Sequence, residues 1–165
     1  MSLVLTEHPE GVETEPGNRI AYDLERNVAY YGAARIDGPA VVWELAEDSG
    51  RDEWILRCDR VDFPPGGVAH RHVHPGPGIR RLLHGQLTID SSDGVRTYRT
   101  GESWHEGADH PVLATASATE DTAFVRVMLL PAEWAGKRTV RYLDPADAEK
   151  PKLQRATILL EHPVE

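Results

Sequence analysis

Cysteine occurs once in this chain, at Cys58, so no intramolecular disulfide framework can staple it. Long apolar runs are also missing, and none approaches the ~20 residues that a membrane-spanning helix needs. Basic charge is scarce beside acid: 18 Lys and Arg stand against 27 Asp and Glu, for a formal net charge of −9. Phosphate backbones and anionic lipid surfaces demand the opposite sign, so neither nucleic acid nor a membrane is an expected partner. The opening stretch MSLVLTEHPEGVETEPG lacks the basic n-region and apolar h-region of a secretion signal. With that and a lone thiol, a reducing cytoplasm is the expected compartment. Helix signals are nearly absent too. DPADAEK (144–150) is the one candidate, with Asp144 as N-cap and Pro145 at the first helical position.

What the chain does have is a succession of short strand signals. AVVWELA (40–46) and EWILRCDRVDF (53–63) flank a turn cluster, EDSGRD, and Cys58 alternates with Trp54 and Leu56 as a core residue. IRRLL (79–83), QLTID (86–90), VRTYRT (95–100), PVLATA (111–116), AFVRVMLL (123–130), TVRYL (139–143) and RATILL (155–160) continue the series. Gly, Pro, Ser and Asp clusters separate them, and QLTID with VRTYRT reads as a hairpin. Short strands at this spacing predict one all-β domain, an antiparallel barrel or sandwich. Residues 1–19 are polar and rich in Glu, Gly and Pro, and read as a flexible N-terminal arm.

Between two Pro/Gly breaks lies GGVAHRHVHPGPG (66–78), with histidines at 70, 72 and 74. Side chains alternate along a strand, so His70, His72 and His74 share a face, about 7 Å from one to the next. Neutral imidazole is the commonest protein ligand for transition metals, so a metal site is expected on this strand. The competing reading is a solvated or hydrogen-bonded histidine cluster.

GGVAHRHVHPGPGIRRLLHGQLTI resembles the first motif of the cupins: Gly, five residues, HxH, three or four residues, Glu, six residues, Gly. Gly66, His72, His74 and Gly85 match, and Gly78 stands where the family has Glu. The second motif is eroded. Gly101 opens GESWHEGADHPV, but Val112 and Ala116 occupy the family's His and Asn positions. The resemblance covers roughly residues 40–130. It implies a single cupin barrel, a double-stranded antiparallel β-helix or jelly roll, with extra N- and C-terminal strands. The barrel is expected over 20–143, and 144–165 as an extension with a helical turn and a final strand. The family also implies one divalent metal ion with His72 and His74 as ligands, and the preference of imidazole narrows it to Zn, Fe, Ni, Cu or Mn.

Two ligands are fewer than metal centres normally supply, so neighbours are candidates to complete the site. His110 lies two residues before Val112 and is expected as third ligand; otherwise it is a turn histidine beside Pro111. His70 is the alternative, or a fourth imidazole. Glu106 shares the parity of Trp104 and His110 and is a candidate catalytic acid–base, replacing the carboxylate that Gly78 withholds, unless it is a loop-edge residue. Arg80 shares the face of position 78 and is expected to hold an anionic substrate group, or else to sit at the barrel rim. Two functions follow. One is a metal-dependent enzyme acting on a small oxygen-rich molecule, by Lewis-acid isomerase, cyclase or lyase chemistry or as a dioxygenase. The other is a non-catalytic small-molecule-binding or sensing cupin with a degenerate site. The apolar ATILL segment and the cupin habit of pairing extra strands suggest a homodimer.

Overall fold

The computed structural model describes residues 2–46 and 53–165 of the chain; the turn cluster EDSGRD (47–52) lies outside the described residues. Eight consecutive strands form the body: β7 (Trp54–Phe63), β8 (Val68–Val73), β9 (Gly78–His84), β10 (Gln86–Ser91), β11 (Gly94–Arg99), β12 (Ser103–Glu106), β13 (Val112–Ala116) and β14 (Thr122–Pro131). They pair in two antiparallel sheets, with order β7–β14–β9–β12 in one and β8–β13–β10–β11 in the other. First strand beside last, and second beside next to last, is the Greek-key winding of a jelly roll, the architecture of the cupins. β10 and β11 form the expected hairpin. At the β9–β10 turn Gly85 sits at φ +79°, a conformation that favours glycine.

The six strands before β7 are β1 (Leu3–His8), β2 (Val12–Glu13), β3 (Arg19–Asp23), β4 (Val28–Tyr31), β5 (Arg35–Ile36) and β6 (Ala40–Leu45). Four of them make a separate sheet, β1–β6–β3–β4. This corrects the expected arm over residues 1–19: Leu3–His8 pairs along its whole length with β6, and Val12–Glu13 pairs with β5. The sheet lies on the outside of the barrel. Ile20, Tyr22, Val41 and Trp43 pack with Leu56, Cys58, Val125, Val127 and Leu129 in one buried cluster. Each such side chain contributes about 1.5–3 kcal/mol by leaving water. Residues 20–45 are therefore a covering layer, and the barrel proper runs from 54 to 131.

The C-terminal segment returns along the barrel. β15 (Arg141–Tyr142) extends the sheet edge at β8, and β16 (Arg155–Pro163) extends the other sheet at β7. Between them stands the one-turn helix α1 (Pro145–Ala148), capped as expected by Asp144, whose side chain accepts from the Ala146 N–H. Residues 141–155 thus cross from one sheet to the other on the side where β7 and β8 lie. Lys152 Nζ fastens this strap by donating to the carbonyls of Asp147, Ala148 and Lys150, as a cation should at a helix C-terminus. No helix of the described residues is long and apolar enough to cross a membrane.

Candidate functional site

A cavity of about 380 Å³ opens between the two jelly-roll sheets. Its outer-face counterparts on β7 and β14 are covered by the N-terminal sheet, so alternation sends Arg57, Asp59, Val61 and Phe63 of β7 inward, with Phe124 and Arg126 of β14. Cross-strand register makes a polar row: Asp59 stands opposite Arg126, Arg126 opposite Arg80, and Arg80 opposite Trp104. The adjoining positions on one side are apolar, with Val61 opposite Phe124 and Phe124 opposite Leu82.

Two of the four expected imidazoles reach the cavity. His72 and His74 lie edge to face with ring centroids 4.9 Å apart, and both line the cavity. His70 does not. β8 carries a bulge against β13: Val112 pairs with His72, but Ala114 pairs with Ala69, so two residues of β8 oppose one of β13. A bulge breaks the period of two, and Ala69 takes the inward place that unbroken alternation assigns to His70. The His70 ring turns instead toward Asp147, 3.9 Å away. His110 also stays outside. β13 lies against β8 with Val112 opposite His72, and Asp109 N–H donates to the His74 carbonyl at 2.8 Å. The strand, however, begins only at Val112, and Asp109 sits at φ 53°. Residue parity does not pass through that turn, and the His110 ring faces Asp93 at 3.4 Å.

Arg80 and Glu106 do enter the site, as a pair. Arg80 is 1 % exposed, and its Nη2 lies 2.9 Å from Glu106 Oε2. Among the described residues Arg80 Nη1 and Nη2 are both buried without a hydrogen-bond partner. Glu106 stands directly opposite Gly78 and accepts from Trp104 Nε1 at 2.9 Å. A Cβ at position 78 would come within 2.7 Å of the Val127 carbonyl, 2.8 Å of Met128 Cγ and 3.0 Å of Arg80 Nη1. The glycine that replaces the family's glutamate therefore makes room for a guanidinium, and the carboxylate arrives from the neighbouring strand.

Three site residues lay outside the sequence reading. Arg126 makes two bonds to Asp59, at 2.6 and 3.0 Å, and a third contact to His74 Nε2 at 3.3 Å. Thr139 Oγ1 meets His74 Nδ1 at 2.9 Å. A lone arginine in AFVRVMLL and an aspartate in WILRCDRV, both at strand centres, were the available signals: a charge within an otherwise apolar strand must be paired. Nothing in the sequence marked Thr139.

The hydrogen bonds settle both tautomers. A carbonyl only accepts, so His72 Nδ1 carries the proton it shares with the His70 carbonyl at 2.7 Å, and Nε2 keeps its lone pair. A guanidinium only donates, so His74 Nε2 accepts from Arg126, and Nδ1–H donates to Thr139. Burial, then Arg126, Arg80 and the His72 ring, hold His74 well below the usual imidazole value. Burial lowers His72 as well; the His70 carbonyl and Glu106 oppose it only in part. Burial brings Arg80 down to about 10, against the pull of Glu106. Burial alone would raise Glu106, but Arg80, the Trp104 N–H, His72 and Arg126 together bring it below the usual carboxylate value.

This donor set does not fit the divalent ion that the family implies. One of the two imidazole lone pairs is engaged by Arg126, and two guanidinium groups stand where a cation would have to approach. Val112 and Gly78 hold the two remaining ligand positions. Among the described residues, no group of three or more His, Cys, Asp or Glu side chains is placed to hold a metal.

No protein-family model matches the chain, and no curated protein does. Solved structures with partial likeness include a cupin domain from Bordetella pertussis, 15% identical over 74% of this chain and 95% of that one, with a TM-score of 0.39. The polyketide cyclase RemF from Streptomyces resistomycificus is 16% identical over 61% and 78%, with a TM-score of 0.44. The EutQ protein of Clostridium difficile is 16% identical, with a TM-score of 0.41; the match covers 48% of this chain and spans 60% of that structure's length. Likenesses this remote bring no ligand or activity with them. The cupin-type jelly roll rests on the strand pairings of this chain.

Proposed function

We propose that this cupin-type protein is an enzyme that binds a small organic anion between its sheets and moves a proton on it without a resident metal. The observation that supports this reading is the pairing, in one cavity, of a neutral imidazole with a free Nε2 and a buried guanidinium with an unpartnered Nη1. His72 takes a proton from carbon beside a carbonyl or carboxyl group. The C–H electron pair moves onto the carbonyl oxygen, and Arg80 stabilises the negative charge formed there. Glu106, held ionised against Arg80, offsets the second charge in the dry site. Isomerases, cyclases and lyases all use such a step, and the fold favours none of them.

The edge-to-face contact of His72 and His74 favours a second reading, a metal bound by these two rings once Arg126 swings away. Elemental analysis separates the two readings. Untagged protein loaded in turn with Zn, Fe, Ni, Cu and Mn is expected to retain only substoichiometric metal after desalting. Near one equivalent, lost in a His72→Ala/His74→Ala variant, would restore the metal-dependent reading. The metal-free protein should also exchange the α-protons of a carboxylic or oxo acid that it binds with solvent deuterium, and His72→Gln should abolish this exchange.

A further inference from the structure

We infer that the anion taken by this cavity is a carboxylate joined to an aromatic ring through a carbon that bears hydrogen, the atom that His72 would deprotonate, with benzoate as its unreactive mimic. The inference rests on the anion-binding reading above and narrows it to a chemical class. Arg80 and Arg126 are direct cross-strand neighbours, and like charges so placed repel unless something compensates both. Asp59 saturates one side of Arg126 with two bonds. Glu106 Oε2 lies 2.9 Å from Arg80 Nη2, yet among the described residues neither Nη1 nor Nη2 has a hydrogen-bond acceptor, although Arg80 is 1 % exposed. A planar carboxylate has the geometry and charge that a guanidinium edge selects.

The next inward positions are aromatic. Phe124 is two residues from Arg126 on the same face of β14, a step of about 7 Å. That step is comparable to the distance from a carboxylate to the far side of the ring joined to it. Phe124 packs edge to face on Trp104, with ring centroids 5.6 Å apart, and 6.1 Å from Phe63. These three rings line one end of the cavity and present faces and edges to a flat guest. A compact inorganic anion would leave this end empty, and a neutral aromatic would leave Arg80 Nη1 unpaired. The cavity volume of about 380 Å³ is at the small end of ligand pockets, fit for a single substituted ring rather than a fused system.

Isothermal titration calorimetry with four probes tests this: benzoate, its neutral isostere benzamide, acetate and inorganic phosphate. Benzoate is expected to bind roughly tenfold or more tightly than the other three, as a charge-assisted pair and a filled aromatic site require. Benzamide binding as well as benzoate would overturn the anion reading itself. Acetate or phosphate matching benzoate would leave the anion reading standing and overturn the aromatic class. No benzoate binding would overturn the proposal. The paired variant Arg80→Met/Glu106→Gln removes the guanidinium without stranding its acid and is expected to abolish the preference for benzoate over benzamide. Should that variant not fold, Phe63→Leu is expected to weaken benzoate severalfold and leave acetate unchanged; equal loss for both would overturn the placement of the ring.

Discussion

Replacing Arg126 by methionine isolates what its ion pair with Asp59 does for the fold. Asp59 is buried, and both of its carboxylate oxygens accept from Arg126, at 2.6 and 3.0 Å. Arg126→Met removes both bonds and leaves the buried Asp59 carboxylate without either of them. Stranding one member of a buried pair typically costs about 3–5 kcal/mol, a large part of the ~5–15 kcal/mol that holds a domain folded. The double variant Asp59→Leu/Arg126→Met strands nothing, because apolar groups of similar volume replace both partners. Its stability is expected within about 1–2 kcal/mol of the parent. Urea unfolding followed by circular dichroism measures all three proteins on one scale. A loss below about 1 kcal/mol in Arg126→Met, or a double variant as unstable as the single, would refute the reasoning that the pair is a dry, mutually dependent unit.

Two further perturbations follow from the same site. The depressed folded-state values of His72 and His74 mean that the unfolded chain binds more protons, so stability rises with pH. The penalty begins as pH falls through the unfolded imidazole value near ~6.5 and grows toward the folded values, at up to about 1.4 kcal/mol per pH unit for each ring. A urea midpoint that drops between neutral and mildly acid pH, with a flatter profile in His72→Gln/His74→Gln, is the expected result; a flat profile in the parent would contradict burial of neutral rings. Gly78→Ala places a Cβ against the Val127 carbonyl and Met128 Cγ, and thermal unfolding should report a loss of about 1–3 kcal/mol from overpacking. Full stability in Gly78→Ala would show that the strand has slack at this position.

The strands of the barrel were legible because each is bounded by turn chemistry and carries β-branched or aromatic residues. Their layering was not. β7 and β14 are buried on both faces, by the cavity and by the N-terminal sheet, so their sequences lack the alternation that tells inside from outside. β1 escaped notice for the opposite reason: Leu3 and Leu5 are only half-buried among Thr, Glu and His, and the strand is held by its neighbour rather than by its own apolar face. At the site, alternation placed His72, His74, Arg80 and Glu106 correctly in the cavity wherever the strand was regular. It failed at His70 and His110, where a bulge and a turn shift the phase. Such shifts come from pairing with a distant strand, and one strand's own sequence carries no trace of them. The missed Arg126 and Asp59 are a different lesson, since charges at the centre of apolar strands were in plain view.

The strap between β15 and β16 contributes Lys152 and Gln154 to the cavity wall, and Arg57 ties the segment before it through the carbonyls of Trp134 and Lys137 at 2.6 and 2.8 Å. The Lys152 bonds run to carbonyls within the strap itself, so this part of the wall holds its own shape while β15 and β16 carry it to the two sheet edges. A substitution in the strap can therefore reshape the cavity without touching any pairing among the eight strands of the body.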